Sequence, residues 1–359
     1  MLYLLASNYF FWYTYYGDSM KRIIIIIASI VTLILTGCEK QVKEYSKNFF
    51  YMDTYINIKL YDINENEANK AFGEIKQIYE KYQNMTNAYD ENSEVYKINT
   101  SKEKKIEVSD ELLEILVLGN EWYDKSNGLF NINMGNLIKT WKTAREEEKL
   151  PKKLNHKITK LKIEDNYIKN SNVNIDLGAI AKGYATELVG NKLEDLGIEY
   201  YLINAGGNIL VGKNAKKDYY TIGIEDPLNK SNIYEKVKGE NISVVTSGGY
   251  ERFFEVDNVR YHHIIDPTTK YPANKMLSAT VITKSSTLAD ILSTTLFLYE
   301  PKEAIKLVES LDGVEAILYV DENTILKSSG FSKYEQEWLY INSFFRYNYN
   351  SFIWFFEIR

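Results

Sequence analysis

Asp290 and Thr294 stand four residues apart in a stretch, about Thr287 to Tyr299, whose composition predicts a helix. That spacing puts a carboxylate and a hydroxyl on one helix face, one turn apart. Together they can hold a hard divalent cation, typically Mg2+, with water and a substrate phosphate completing the octahedron. The same residues also fit a plainer arrangement, with Asp290 stabilising the helix N-terminus and Thr294 bonding back to the preceding turn. Three histidines and one cysteine are too few for a Cys/His zinc site, so any metal here is expected to be a hard one held by oxygens.

Three further segments could meet an anionic ligand. Asn174 to Tyr184 places Asp176 at the end of an expected strand, Gly178 at a turn, and Lys182 one turn into a helix. Free N–H groups at a helix start and a nearby ammonium favour phosphate, although Asp176 could equally be a cap. Asn204-Ala205-Gly206-Gly207-Asn208 and Thr246 to Tyr250 let backbone approach a ligand closely, or serve as ordinary hairpin turns. Neither carries the Gly-x-Gly-x-x-Gly spacing of a dinucleotide-binding turn. Tyr261-His262-His263-Ile264 puts two histidines at a strand end, where neighbours face opposite ways, so only one can serve a given site. A histidine there is a candidate general base, because its ordinary pKa of about 6.5 suits proton transfer at neutral pH.

The elements that must position these groups follow from periodicity. Helices are expected over 65–84, from Ser109 to before Gly128, over 179–196, 287–299 and 302–311. Strands are expected over 50–60, 201–203, 219–225, 242–246, 251–257, 278–283, 314–320 and 323–328, with turns and short strands over 142–170. No regular strand–helix alternation appears, so the fold class is α+β with largely antiparallel sheets flanked by helices. The 359 residues are 45% apolar and 26% charged, enough to bury a core. A net charge of −6 offers nucleic acid no basic footprint.

Near the N-terminus, Met20-Lys21-Arg22 precedes thirteen apolar or small residues, Ile23 to Leu35, and then Thr36-Gly37-Cys38. Thirteen helical residues span roughly 20 Å, short of a hydrocarbon core of about 30 Å, so an export signal is favoured over a membrane span. Small residues directly before the lone Cys38 resemble a bacterial lipobox, which would make Cys38 a lipidation site and anchor the chain at the outer face of the cytoplasmic membrane. Residues 1–19 lack a basic start and read as an upstream extension; 20–37 read as a lipoprotein signal peptide and 38–49 as a tether. The aromatic segment 331–359 follows neither period.

In order along the chain, Met52-Asp53-Thr54, Tyr89 to Ser93, Gly128 to Trp141, Asp176 to Tyr184, Asn204 to Gly212, Thr246 to Phe253, His263 to Pro272 and Ala289 to Thr295 resemble the FAD:protein FMN transferase (ApbE) family. The resemblance implies an ApbE-like, T-fold-related domain over 50–330. It implies an Mg2+-dependent transfer of the FMN moiety of FAD, the substrate, to a threonine of an acceptor protein, with release of AMP. It also implies a metal held by Asp290, Thr294 and the Ala179 carbonyl, and FAD contacts from Met52, Tyr89, Leu129, Phe130, Asn131, Asp176, Lys182 and Ile264. His263 would be the base. Acceptors of that family carry a Ser/Thr-Gly-Ala-Thr-like motif and are often subunits of membrane electron-transfer complexes. Three positions depart from the family pattern: Asn131 stands where Asp is usual, Lys270 where Gly is usual, and Gly249 where a polar residue is usual. Two other functions use the same residues, hydrolysis of FAD to FMN and AMP, and flavin binding without turnover by a lipid-anchored protein.

Overall fold

The computed structural model describes residues 42–336, and a compact unit begins at Glu44. The extension 1–19, the signal segment, Cys38 and the tail from 337 onward lie outside the described residues. A hairpin of β1 (Glu44–Tyr51) and β2 (Thr54–Tyr61) leads into α1 (Glu65–Thr86) and α2 (Glu94–Thr100). Strand β3 (Lys105–Glu107), α3 (Asp110–Lys125), α4 (Gly135–Glu147), β4 (Ile163–Glu164) and β5 (Tyr167–Lys169) follow. Next come α5 (Ala181–Asp195), β6 (Tyr201–Ala205), β7 (Asn208–Val211), β8 (Tyr220–Asp226), β9 (Asn229–Gly239) and β10 (Ile242–Gly248). The chain closes with β11 (Phe253–Val256), β12 (Val259–His262), β13 (Ser278–Thr283), α6 (Ser286–Leu298), α7 (Pro301–Glu309), β14 (Glu315–Asp321) and β15 (Thr324–Lys327).

Eight strands form one sheet in the order β1-β2-β6-β7-β10-β13-β14-β15, with every neighbouring pair antiparallel. The α+β class with antiparallel sheet is therefore what the chain forms. Helix α6 packs on β10, β13 and α5, and α1 packs on α5. Ile291, Leu292, Leu296 and Phe297 of α6 are fully buried, each contributing about 1.5–3 kcal/mol of transfer free energy. The start of α6 is fixed chemically as well. Ser285 accepts from Leu288 N (3.1 Å), while Glu187 of α5 accepts from Ser285 Oγ (2.6 Å) and Thr287 N (2.8 Å). These bonds satisfy N–H groups that a helix start leaves without intrahelical partners.

The structure corrects several expectations. Residues 50–60 are not one strand: a left-handed two-residue turn at Met52 and Asp53 (φ 53° and 56°) splits them into the β1–β2 hairpin. Alternation of period two simply continues across so short a turn, which hides it from the pattern. The expected tether likewise ends early, because β1 already starts at Glu44. Asp176 follows an extended segment rather than a sheet strand, pinned by Asp176 N to Ile132 O (2.9 Å) and Gly135 N to Asn174 O (2.7 Å). Helix α4 takes the first residues, 142–147, of the stretch read as turns and short strands, and no helix was expected over 135–141; Leu137, Trp141 and Ala144 form its buried stripe. At the other end, Phe331 is buried and Tyr334 and Gln336 bond to Lys238 and Lys236, so the first residues of the expected tail belong to the body.

Two backbone positions make the energetics testable. Lys270, at the position where glycine is usual, adopts φ 64° while its carbonyl accepts from Trp141 Nε1 (2.8 Å). A left-handed conformation costs a residue with a Cβ roughly 1–2 kcal/mol, against about 0.5–1 kcal/mol of extra chain entropy for glycine. Lys270→Gly should therefore leave stability unchanged or raise it by up to about 1 kcal/mol in urea unfolding. Gly183 lies where α5 crosses α6, and a Cβ there would stand 2.5 Å from both Asp290 Cβ and Ser286 O. Because neither neighbour is a flexible side-chain end, Gly183→Ala should cost about 1–3 kcal/mol by the same measurement.

Candidate functional site

A cleft of about 880 Å³ is lined by Met52, Tyr89, the segment 129–131, Asp176, Ala179, Lys182, His263, Ile264, Asp290 and Thr294. Every site residue expected from sequence lines this one cleft, except Cys38, which lies outside the described residues. Segments more than 230 residues apart in the chain are thus brought to one surface.

At one side of the cleft, α6 meets the N-terminus of α5. Asp290 is 5% exposed; its Oδ2 accepts from Gly183 N (2.7 Å) and its Oδ1 from Lys182 Nζ (3.1 Å). Asp290 therefore caps α5, rather than merely favouring the start of its own helix, and the positive end of the α5 dipole adds to the ammonium in holding the charge. Thr294 Oγ1 lies 3.3 Å from Ser247 Oγ, which itself lies 2.8 Å from Ser293 Oγ. Asp290, Thr294 and the Ala179 carbonyl supply oxygens only. Among the described residues no three His, Cys, Asp or Glu converge as they would in a protein-built cage. One carboxylate with spare lone pairs, a hydroxyl and a carbonyl, open to a cleft, fit Mg2+, which keeps water and substrate phosphate among its ligands.

The two histidines separate as alternation requires. His262 is buried and accepts at Nδ1 from Ile264 N (3.2 Å), so its Nε2 carries the proton and donates to Ala273 O (2.6 Å). That pairing makes His262 a neutral structural residue. Gly249 explains its own departure from the family pattern here, since a Cβ would meet His262 Cδ2 at 2.6 Å. His263 faces the cleft, and its buried Nδ1 has no partner among the described residues. Loss of solvation, aided by the positive charges of Arg252 and Arg145, depresses its pKa to about 3. The ring is consequently neutral at physiological pH.

The opposite side is built by turns. Met52 N donates to Gln83 Oε1 (2.8 Å), and Arg252 Nη2 donates to Asp53 O (3.0 Å), tying down the left-handed turn that presents Met52. The Gly206-Gly207 pair forms the β6–β7 hairpin turn, with φ of 60° and 86°. It lies against Thr54, whose Oγ1 would be 2.0 Å from a Cβ at Gly206, so close approach of the two turns requires the glycine. Asn131 accepts at Oδ1 from Asn133 N (2.8 Å), and its buried Nδ2 has no partner among the described residues. Asp176 accepts from Gly178 N (3.0 Å); enclosure raises its carboxyl pKa, opposed by that bond and by Lys142.

Lys142, Arg145, Arg252 and Gln83 line the cleft without having been singled out from sequence. The first two went unrecognised because α4 did; the recurrence of Leu137, Trp141 and Ala144 was the available signal. Lys142 Nζ lies 3.8 Å over the Tyr89 ring, a cation–π contact.

The residues 52–318 match the family model described as ApbE family. An FAD:protein FMN transferase of Vibrio cholerae is 30% identical over 308 residues, covering 81% of this chain and 91% of that protein. One of Haemophilus influenzae is 30% identical over 339 residues, covering 88% and 98%. Among solved structures, the ApbE protein of Thermotoga maritima superimposes with a TM-score of 0.73 at 28% identity, covering 82% of this chain and all of that one. The flavin transferase ApbE of Vibrio cholerae, at 24% identity and a TM-score of 0.70, shares the fold. With its sequence and its fold both matched in this way, the chain belongs to the ApbE family.

Proposed function

We propose that the cleft transfers the FMN part of FAD to a threonine hydroxyl of an acceptor protein, with AMP as the leaving group. The observation that carries this reading is the meeting, in one cleft, of the Asp290–Lys182–Thr294 cluster with the neutral His263. Phosphoryl transfer needs positioned charge more than a covalent nucleophile, and these groups supply it. Asp290, Thr294 and the Ala179 carbonyl would hold Mg2+, which when bound offsets negative charge on the pyrophosphate oxygens. Lys182, released from Asp290 or shared with it, places an ammonium beside the same oxygens. His263 accepts the threonine proton as the threonine oxygen bonds to the FMN phosphorus and the phosphoanhydride bond to AMP breaks. Asp176, Met52, Tyr89, Ile264 and residues 129–131 orient the flavin nucleotide.

The acceptor in this proposal carries a Ser/Thr-Gly-Ala-Thr-like motif and belongs to a membrane electron-transfer complex. Lipidation at Cys38 would hold the enzyme at the outer face of the cytoplasmic membrane. Support for the anchor is the export-like segment before Cys38.

Incubating the protein with FAD, Mg2+ and an acceptor bearing the motif should give a flavin-fluorescent acceptor band that survives denaturing electrophoresis. Asp290→Asn, which removes the charge and keeps the shape, should lower the rate by about 10²-fold or more, and chelation of Mg2+ should abolish the band. AMP release without a labelled acceptor would instead mean hydrolysis, and bound but unchanged FAD would exclude both reactions. The depressed pKa of His263 has a thermodynamic counterpart. An unfolded histidine takes up a proton below about pH 6.5, whereas the native ring stays neutral to about 3, so its contribution is present above 6.5 and is lost as pH falls through that window. Relative to His263→Gln, the wild-type protein should lose stability steadily from pH 6.5 to 4 in denaturant titrations. A constant difference would show that His263 is protonated in the native state.

A further inference from the structure

Trp141 anchors the middle of α4 to the β11–β12 hairpin, with ring centroids 5.7 Å from Tyr261 and 6.4 Å from Phe254. Arg145, one turn further along the same helix face, is thereby carried to the hairpin's inner end. On the hairpin itself, Phe253 pairs with His262, so Arg252 emerges beside His263 where the ladder ends. Both arginines line the cleft. Arg145 is half-buried and, among the described residues, makes no ion pair or side-chain hydrogen bond. Arg252 spends one N–H on Asp53 O and keeps the rest. Of the carboxylates that line the cleft, Glu251, Asp290 and Asp176 are engaged, while Asp53 and Glu225 line it as well. Glu251 pairs with Lys230 at 3.0 Å, Asp290 binds Lys182 and Gly183, and Asp176 bonds to Gly178 N with Lys142 nearby. Two guanidiniums therefore converge on a neutral ring whose buried Nδ1 has no partner among the described residues, with no counter-charge paired to Arg145.

We propose that Arg145 and Arg252, beside His263, form an anion seat in the cleft that takes phosphate oxygens of the flavin nucleotide's FMN half. Planar guanidiniums match phosphate geometry in a way that an ammonium does not, and a half-buried cation lacking a carboxylate is favourable once an anion arrives. The seat is supplied by α4 and the β11–β12 hairpin, whereas Lys182 and Asp290 belong to α5 and α6. The inference rests on the flavin-transfer reading, yet it concerns binding rather than turnover.

The test is equilibrium binding of FMN and of riboflavin, which differ by the phosphate, to the full protein in chelator. Flavin fluorescence quenching gives both dissociation constants. The wild-type protein should bind FMN at least about 10-fold more tightly than riboflavin, because charged hydrogen bonds to phosphate are strong. Arg145→Met should bring that ratio close to one without changing riboflavin affinity. Lys139→Met, an equal change of net charge on the outer face of α4, should leave the ratio intact. Arg252→Met should lower the ratio too, and because it also frees the Asp53 carbonyl, Arg145 is the cleaner variant. A ratio untouched by Arg145→Met in protein that binds FAD normally would overturn the anion seat alone. Failure to bind FAD even with Mg2+ would remove the flavin reading and the seat together.

Discussion

The carboxylate of Asp290 holds the site together. It is buried at the crossing of α5 and α6, and it avoids the large penalty of an isolated buried charge by accepting from Gly183 N and Lys182 Nζ. That arrangement is possible only because residue 183 has no Cβ, which lets the α5 backbone come against Asp290. The same contact fixes the distance between the helices and the height of α6 above the sheet. Glu187 secures the other end of the junction by capping α6 from α5. Two reciprocal caps, one carboxylate from each helix, thus lock the pair, and Ala179, Lys182 and Thr294 take their places from it.

One wall of the cleft depends on strained or glycine-bearing turns. Met52 and Asp53 sit in a conformation that non-glycine residues rarely adopt, and their backbone is bonded from two sides, by Gln83 and Arg252. Such strain persists only when the surroundings over-determine it, and here they do, with the Gly206 turn completing the support.

Much of this was legible in the sequence, for identifiable reasons. Helices with strong apolar periodicity and a good cap, such as α1 after Asn64 and α3 after Ser109, appear within about two residues of their expected limits. The pairing of Asp290 with Thr294 and the separation of His262 from His263 followed from helical and strand periods alone. What escaped was set by tertiary contacts. Helix α4 has no side-chain cap at Met134 and a single narrow buried stripe, so its polar residues dominated the pattern. The partnership of Asp290 with Gly183 joins residues 107 apart and leaves no local trace. Asn131 and Gly249 looked like departures from a family pattern. In place, one of them ties its amide oxygen to Asn133 N, and the other makes room for the His262 ring.

The charge distribution completes the argument from fold to chemistry. The chain as a whole is acidic, at −6, and Lys142, Arg145, Lys182 and Arg252 open onto a cleft that Asp53, Asp176, Glu225, Glu251 and Asp290 also line. A recess with low-dielectric walls concentrates the field of such groups, so the local potential an anionic nucleotide meets is set by these side chains more than by distant surface carboxylates. Loss of solvation and then the positive neighbours disfavour the protonated form of His263, so the ring is neutral and only weakly basic before substrate arrives. An incoming phosphate would weaken that bias and make the ring more basic once the nucleotide is in place. Electrostatics of this kind couples occupancy of the cleft to the strength of its base, with no movement of the fold required.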